Sequence, residues 1–266
     1  MKTRGDAWEY RRGDGDTEQA IWHGRCSPAL QMHFHEEHQV TVVLHGIRRF
    51  ETPDGSVEAA AGKVAILPAR MPHRPVGLDS ATTSINLYLR PRHGAAVVPA
   101  AALVLQSPSW MALGTISDPG KVADWLDRIP PNVSSSYAAL NEDLIASVAR
   151  APTSTSAAAV WGLSREGFTR RFTRATGMPP AAYRRVLHLN HARALLGAGV
   201  APAAAAAEAG FSDQSHLARI IHRTARNRPR PPNTWARDFI AKNFIKQSIR
   251  IVVNDIKGLA LIAHFS

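Results

Sequence analysis

The chain has one cysteine, Cys26, in 266 residues. That excludes an intramolecular disulfide and a cysteine-only zinc site, and it fits a reducing, cytoplasmic compartment. Long hydrophobic runs are also missing. No stretch reaches the length of a membrane span, and the N-terminal MKTRGDAWEYRRGDGD lacks the apolar core of a secretion signal. Lysine is scarce, and from 150 to 237 there is none. Nowhere does a nucleophile–base pair or a glycine-rich phosphate loop stand out, so no enzyme activity is expected from motif content.

The charge that is present is uneven. Residues 1–149 hold 14 basic and 16 acidic side chains, net −2. Residues 150–237 hold 14 Arg against three acids, net +11, and the last 29 residues add +2. Arginine richness alone can reflect a GC-rich genome. Its confinement to one segment is the electrostatic footprint of a phosphate-binding surface.

Within that segment, residues 162–183 read GLSREGFTRRFTRATGMPPAAY. Ser164 is placed as an N-cap, Thr176-Gly177 ends a helix and Pro179-Pro180 begins the next. Phe168 and Phe172, four apart, face one way. An arginine-rich outer face on a short helix suits the DNA major groove, although an ordinary solvated amphipathic helix has the same pattern. Residues 210–223, GFSDQSHLARIIHR, repeat the arrangement, with Leu217 and Ile221 inward and Arg219 set as Arg170 is. Between the copies, PAAYRRVLHLNHARALL predicts a long helix with Tyr183, Val186, Leu187, Leu189, Asn190, Ala194 and Leu195 spaced for burial.

Two helix-turn-helix units joined by a long helix resemble the DNA-binding domain of the AraC family of bacterial transcription regulators, over about residues 153–223. The resemblance implies that Glu166, Thr169 and Arg170 in the first repeat, and Gln214, Ser215 and Arg219 in the second, read base edges. Arg165 would lie near the phosphates, and Ser164 and Ser212 would both cap and bond phosphate. It also implies double-stranded DNA as partner, RNA polymerase if the protein is an activator, and a nucleoid-associated cytoplasmic location.

The N-terminal half reads as β. Short apolar runs over 39–44, 48–51, 57–60, 64–67 and 84–89, punctuated by Pro53-Asp54-Gly55 and other turn signals, argue a small antiparallel barrel. His33, His35, Gln39 and Gly46, then Gly62, Pro68 and His73, resemble the two motifs of the cupin barrel. That family places a Glu where Gln39 stands and a Gly where Arg70 stands. The resemblance implies a divalent metal on His33, His35 and His73, yet Gln39 is a weak neutral ligand, so no cofactor is expected. A small-molecule pocket at the barrel mouth is the reading preferred. Helical patterns over 100–106, 119–127 and 136–148 are expected to pack on the barrel, and in the family they often form a homodimer interface.

The expected fold is therefore α+β, with a cupin-like sensor barrel at 1–95 and a helical attachment at 96–150. An all-α double helix-turn-helix domain follows at 151–237, then an atypical tail at 238–266. Two features weaken it. Small residues stand in the first helix of each repeat, Ser154 and Ala157 in one and the alanine run 203–207 in the other, and bury little surface. After Arg223 the repeat pattern decays into NRPRPPN and an Ile- and Lys-containing tail. The alternatives are a metal-dependent cupin enzyme, and a regulator with a damaged second helix-turn-helix that as a whole binds DNA only non-specifically.

Overall fold

The computed structural model describes residues 7–12, 18–25, 30–90, 101–111, 118–129 and 136–226. Cys26, the closing segment after Arg226 and the 238–266 tail lie outside them. Contacts divide the chain into two compact units, Met1–Arg184 and Arg185–Ser266.

The first unit opens with strands β1 (Ala7–Arg12), β2 (Glu18–Gly24), β3 (His38–His45), β4 (Ile47–Thr52), β5 (Gly55–Ala60), β6 (Lys63–Leu67), β7 (Arg74–Val76), β8 (Thr82–Leu89) and β9 (Leu103–Gln106). They form a six-stranded sheet, order β1-β2-β8-β3-β6-β9, and a three-stranded sheet, order β5-β4-β7. Every pairing is antiparallel. The chain passes from β3 in one sheet to β4 in the other at Gly46, φ +75°, where a Cβ would lie 2.1 Å from the Ala81 carbonyl oxygen. Only glycine meets both demands.

Strand alternation sorts the side chains onto two faces. Val40, Val42, Val64, Ile66, Ile85 and Leu87 lie on one, packed with Met111, Val122, Leu126 and Ile129. That places helix α1 (Pro119–Leu126) over the sheet, its N-terminus capped by the Asp118 carboxylate, which accepts from Gly120 and Lys121 N–H at 2.9 and 3.3 Å. The other face carries Val43, Ala65 and Leu67, packed with Phe50 and Ala59 of the three-stranded sheet. These fill the space between the sheets, and polar residues share it. The expected barrel is thus present, but residues 103–106 are strand β9 on β6, not helix. The four apolar-rich residues fit either period, and the open edge of β6 decides for strand.

Helices α2 (Ser136–Arg150), α3 (Ser154–Val160) and α4 (Arg165–Thr176) complete the first unit with the start of α5 (Pro180–Gly197). The second unit holds the rest of α5, then α6 (Pro202–Glu208) and α7 (Gln214–Arg226) around Leu189, Ala192, Leu196, Ala205, Ala206, Phe211 and Leu217. On α5, Ala194 is exposed, and Ala192 and Leu196 are buried instead. Alanine fits either environment, so it marks the buried face poorly. The architecture is α+β: antiparallel sheets followed by helix-turn-helix helices.

Candidate nucleic-acid interface and barrel site

Helix α4 is built as its sequence demands. Ser164 Oγ accepts from Gly167 N–H at 3.0 Å, and Gly177 closes the helix at φ +69°, its N–H donating to Thr173 O. Phe168 and Phe172 are fully buried, and Arg165, Glu166, Arg170, Arg171 and Arg174 are exposed. Arg171 lies over the Trp161 ring at 4.5 Å, and the indole N–H donates to Ser147 Oγ at 3.0 Å, so this arginine also holds the helix to its neighbours. Arg165 pairs with Glu166 at 2.9 Å, both well exposed. The Glu166 carboxyl is held below its ordinary range, first by its own backbone N–H and then by Arg165. The Thr169 hydroxyl donates to Arg165 O at 2.7 Å. Its proton is committed to the helix, which leaves the methyl as the group suited to a thymine.

In the second unit, Gly210 stands at φ +79° with the His188 ring 2.9 Å from where a Cβ would be. Phe211 follows, edge-on to His188 and His216. The cap of α7 differs from the sequence expectation. Asp213 Oδ1 accepts from His216 N–H at 2.6 Å, and Ser212 Oγ donates to Asp213 Oδ2 at 3.1 Å. A carboxylate takes the hydroxyl's place because it is the stronger acceptor at a helix N-terminus. Ser212 supports that cap and does not itself form it. The His216 N–H is the main cause of a lowered Asp213 pKa. Ser215 and Arg219 are exposed and Gln214 half-buried.

The barrel brings His33, His35 and His73 together. His33 and His73 exchange backbone hydrogen bonds, 2.9 and 2.7 Å, as an isolated antiparallel bridge. One ligand atom from each imidazole lies within 4.8 Å of the others. Tetrahedral coordination by nitrogens at about 2.0–2.1 Å needs donors about 3.3 Å apart, so the rings would have to close further. His33 Nδ1 sits 2.7 Å from Gln31 O and His73 Nδ1 2.8 Å from Met71 O, which directs Nε2 of each toward the cluster. Burial first, then the charge of His33, push the His73 pKa down to about 3, so it is neutral at pH 7. Gln39 is turned to His73 Nε2 at 3.2 Å and Thr41 at 3.1 Å, and Thr41 donates to Asn86 at 2.9 Å. Three imidazoles fit a borderline transition metal, but Gln39 supplies no carboxylate. Arg70, in the cupin glycine position, is held at φ +63°. Its N–H donates to His35 O at 2.7 Å and its guanidinium to Glu36 at 2.7 Å.

Sequence reasoning passed over the rest of the polar interior. Arg48 is 1 % exposed and Ser84 0 %. The signal was available, because β4 alternates and Arg48 shares a face with Phe50 and Thr52. It passed over Phe34 as well. This fully buried ring, between His33 and His35, stacks on Tyr183 at 4.6 Å, and Tyr183 meets Phe172 edge-on at 5.4 Å.

The helix-turn-helix domain family matches residues 157–231. YbfI, an HTH-type transcriptional regulator of Bacillus subtilis, is 43% identical over 56 residues, 21% of this chain. The match spans only 20% of that relative's length. Among solved structures, an apo single-residue variant of ToxT from Vibrio cholerae is similar at 11% identity and TM-score 0.49, over 82% of this chain and 97% of its own. KdgF from Halomonas sp. is similar at 19% identity and TM-score 0.29, over 35% and 84%. The C-terminal helices of this chain are a helix-turn-helix domain. Among the described residues, no helix is long and apolar enough to cross a membrane.

Proposed function

We propose that the protein is a sequence-specific transcription regulator that binds double-stranded DNA through α4 and α7 and senses a small molecule in its N-terminal barrel. The observation that carries this reading is the +11 net charge confined to residues 150–237, with Arg165, Arg170 and Arg174 exposed on a capped helix backed by two buried phenylalanines. Arg170 is suited to guanine O6 and N7, Gln214 to adenine, and Thr169 to a thymine methyl. Glu166, Ser215 and Arg219 are the remaining base-reading positions, and Arg165 serves the phosphates. The effector acts by binding one state of the barrel better than the other, which alters DNA affinity in proportion to that difference. A path for this exists within the first unit, from the histidine segment through Phe34 and Tyr183 to Phe172 of α4. The proposed working form is a cytoplasmic, nucleoid-associated homodimer that meets RNA polymerase if it activates.

A second reading is favoured by α6. Its N-cap position, Ala201, makes no side-chain cap bond, and its buried face is Pro202, Ala205 and Ala206. So thin a scaffold under α7 would give non-specific binding from the second repeat. In vitro selection from a random duplex library separates the two. A specific regulator enriches one motif with two half-elements about one helical turn apart. Enrichment of a single short element supports the second reading, and no enrichment at all removes both sequence-reading claims.

A further inference from the structure

The barrel interior contains a cation that no described residue neutralises. Arg48 on β4 points between the sheets with Phe50, its guanidinium 5.3 Å from the Phe50 ring centre. Among the described residues, its Nε and Nη1 have no hydrogen-bond partner, nor has the fully buried Ser84 Oγ on β8. The acids near it in sequence are engaged elsewhere. Glu58 pairs with Arg49 and Glu51 with Arg74, all at half-exposed outer positions. Burial lowers the Arg48 pKa to about 10, opposed only by the Tyr88 phenol. It therefore remains a cation at neutral pH. A buried, uncompensated charge is strongly unfavourable, so an anionic partner arriving from outside would relieve a large cost.

Strand register gathers the other polar groups on the same face. Ser84, Asn86 and Tyr88 alternate with Ile85 and Leu87, which belong to the opposite face, and Asn86 already binds Thr41. The ring seated under Arg48 occupies one face of the guanidinium plane and leaves its N–H edges for an acceptor. We propose that the barrel interior binds a small organic carboxylate, with Arg48 as the charge partner and Ser84 as a second hydrogen-bonding contact. This rests on the reading of the barrel as the sensor and names the chemical class it senses. Arg48 supplies donors and charge, Ser84 a donor that selects an oxygen beside the anion, and Phe50 an apolar wall.

The test uses the full chain with benzoate and acetate as probes, and benzamide and acetamide as neutral counterparts of equal shape. Melting temperature and operator affinity are read for the wild type, Arg48→Met and Ser84→Ala. The proposal expects a saturable rise in Tm with at least one carboxylate and none with its amide. It expects at least a tenfold weaker response in Arg48→Met and a smaller loss in Ser84→Ala. It also expects Arg48→Met to melt higher than the wild type when no probe is added, because a charge awaiting a ligand is a liability without one. That arm does not depend on the choice of probe. A lower Tm for probe-free Arg48→Met makes Arg48 a structural residue and overturns the proposal. Amides that bind as well as acids and shift operator affinity overturn the anion assignment and leave the sensor reading standing. If no probe binds and the Met variant melts unchanged, the carboxylate proposal falls, whereas the sensor reading is tested separately by the operator-affinity arm.

Discussion

Removing the Phe34 ring should loosen helix α4, although Phe34 belongs to the barrel segment. Phe34 is 1 % exposed, and so is Tyr183, onto which it stacks. Tyr183 in turn stands against Phe172, itself 6.0 Å from Phe168. Losing a buried phenylalanine side chain forfeits about 1.5–3 kcal/mol of transfer free energy. A residual void of up to roughly 100 Å³, at about 24 cal/mol per Å³, adds up to about 2 kcal/mol. Phe34→Ala should therefore cost about 3–4 kcal/mol in urea unfolding, with about 1 kcal/mol of it specific to the ring pair. The pair term is measured by a double-mutant cycle of Phe34→Leu with Tyr183→Leu. Hydrogen exchange then locates the effect. The amides of Arg165–Thr176 should lose protection in Phe34→Ala along with those of the barrel segment. A coupling energy below about 0.3 kcal/mol, with lost protection confined to residues 30–45, would refute the idea that these rings join barrel and reading helix.

Three further outcomes follow from the same structure. Arg70→Gly should stabilise the protein by about 0.5–1 kcal/mol. Relief of the left-handed backbone is worth about 1–2 kcal/mol, added freedom of the unfolded chain offsets about 0.4–1, and the exposed Glu36 pair contributes little; a drop in urea midpoint contradicts this. Asp213 has a folded pKa below its ordinary 3.8. Its stabilising contribution is complete above that ordinary value and is lost as pH falls through the folded value. The protection factor of the His216 amide, taken against its intrinsic rate at each pH, should fall on acidification below about pH 4, and Asp213→Asn should flatten that fall; an unchanged profile in the variant argues against this cap. Lastly, dialysed protein should retain well under one equivalent of metal, and chelator should leave operator affinity unchanged, since the three imidazoles lack a carboxylate. Stoichiometric metal by elemental analysis would favour the cupin-enzyme reading instead.

Much of this was legible from the sequence because it rests on local chemistry. Ser164, Phe168, Phe172 and Gly177 encode start, face and stop of α4 within 14 residues, and the structure places each accordingly. The β-branched run of β3 and the turn before Gly55 were equally local. What escaped depends on tertiary pairing. Residues 103–106 became strand because β6 offered an edge. Asp213 displaced Ser212 as the cap of α7, since two adjacent polar residues compete for one role. Arg48 is an ordinary residue for an exposed strand position, and its alternation in step with Phe50 and Thr52, the one local sign that it turns inward, was passed over. The proximity of His33, His35 and His73 could be read from motif spacing, but not the role of the phenylalanine between the first two.

The central claim is that α4 and α7 read bases and do more than hold phosphate. It is tested most directly by titrating wild type and Arg170→Ala onto the duplex found by selection and onto a scrambled duplex of equal length, each at two salt concentrations. The account predicts a preference of roughly a thousandfold or more for the selected duplex. Arg170→Ala should lose about 1–3 kcal/mol on it, with relaxed preference at a single base pair. Equal affinity for both duplexes, falling steeply with salt and reduced alike by Arg170→Ala, would show that the basic segment binds phosphate alone and would contradict the account.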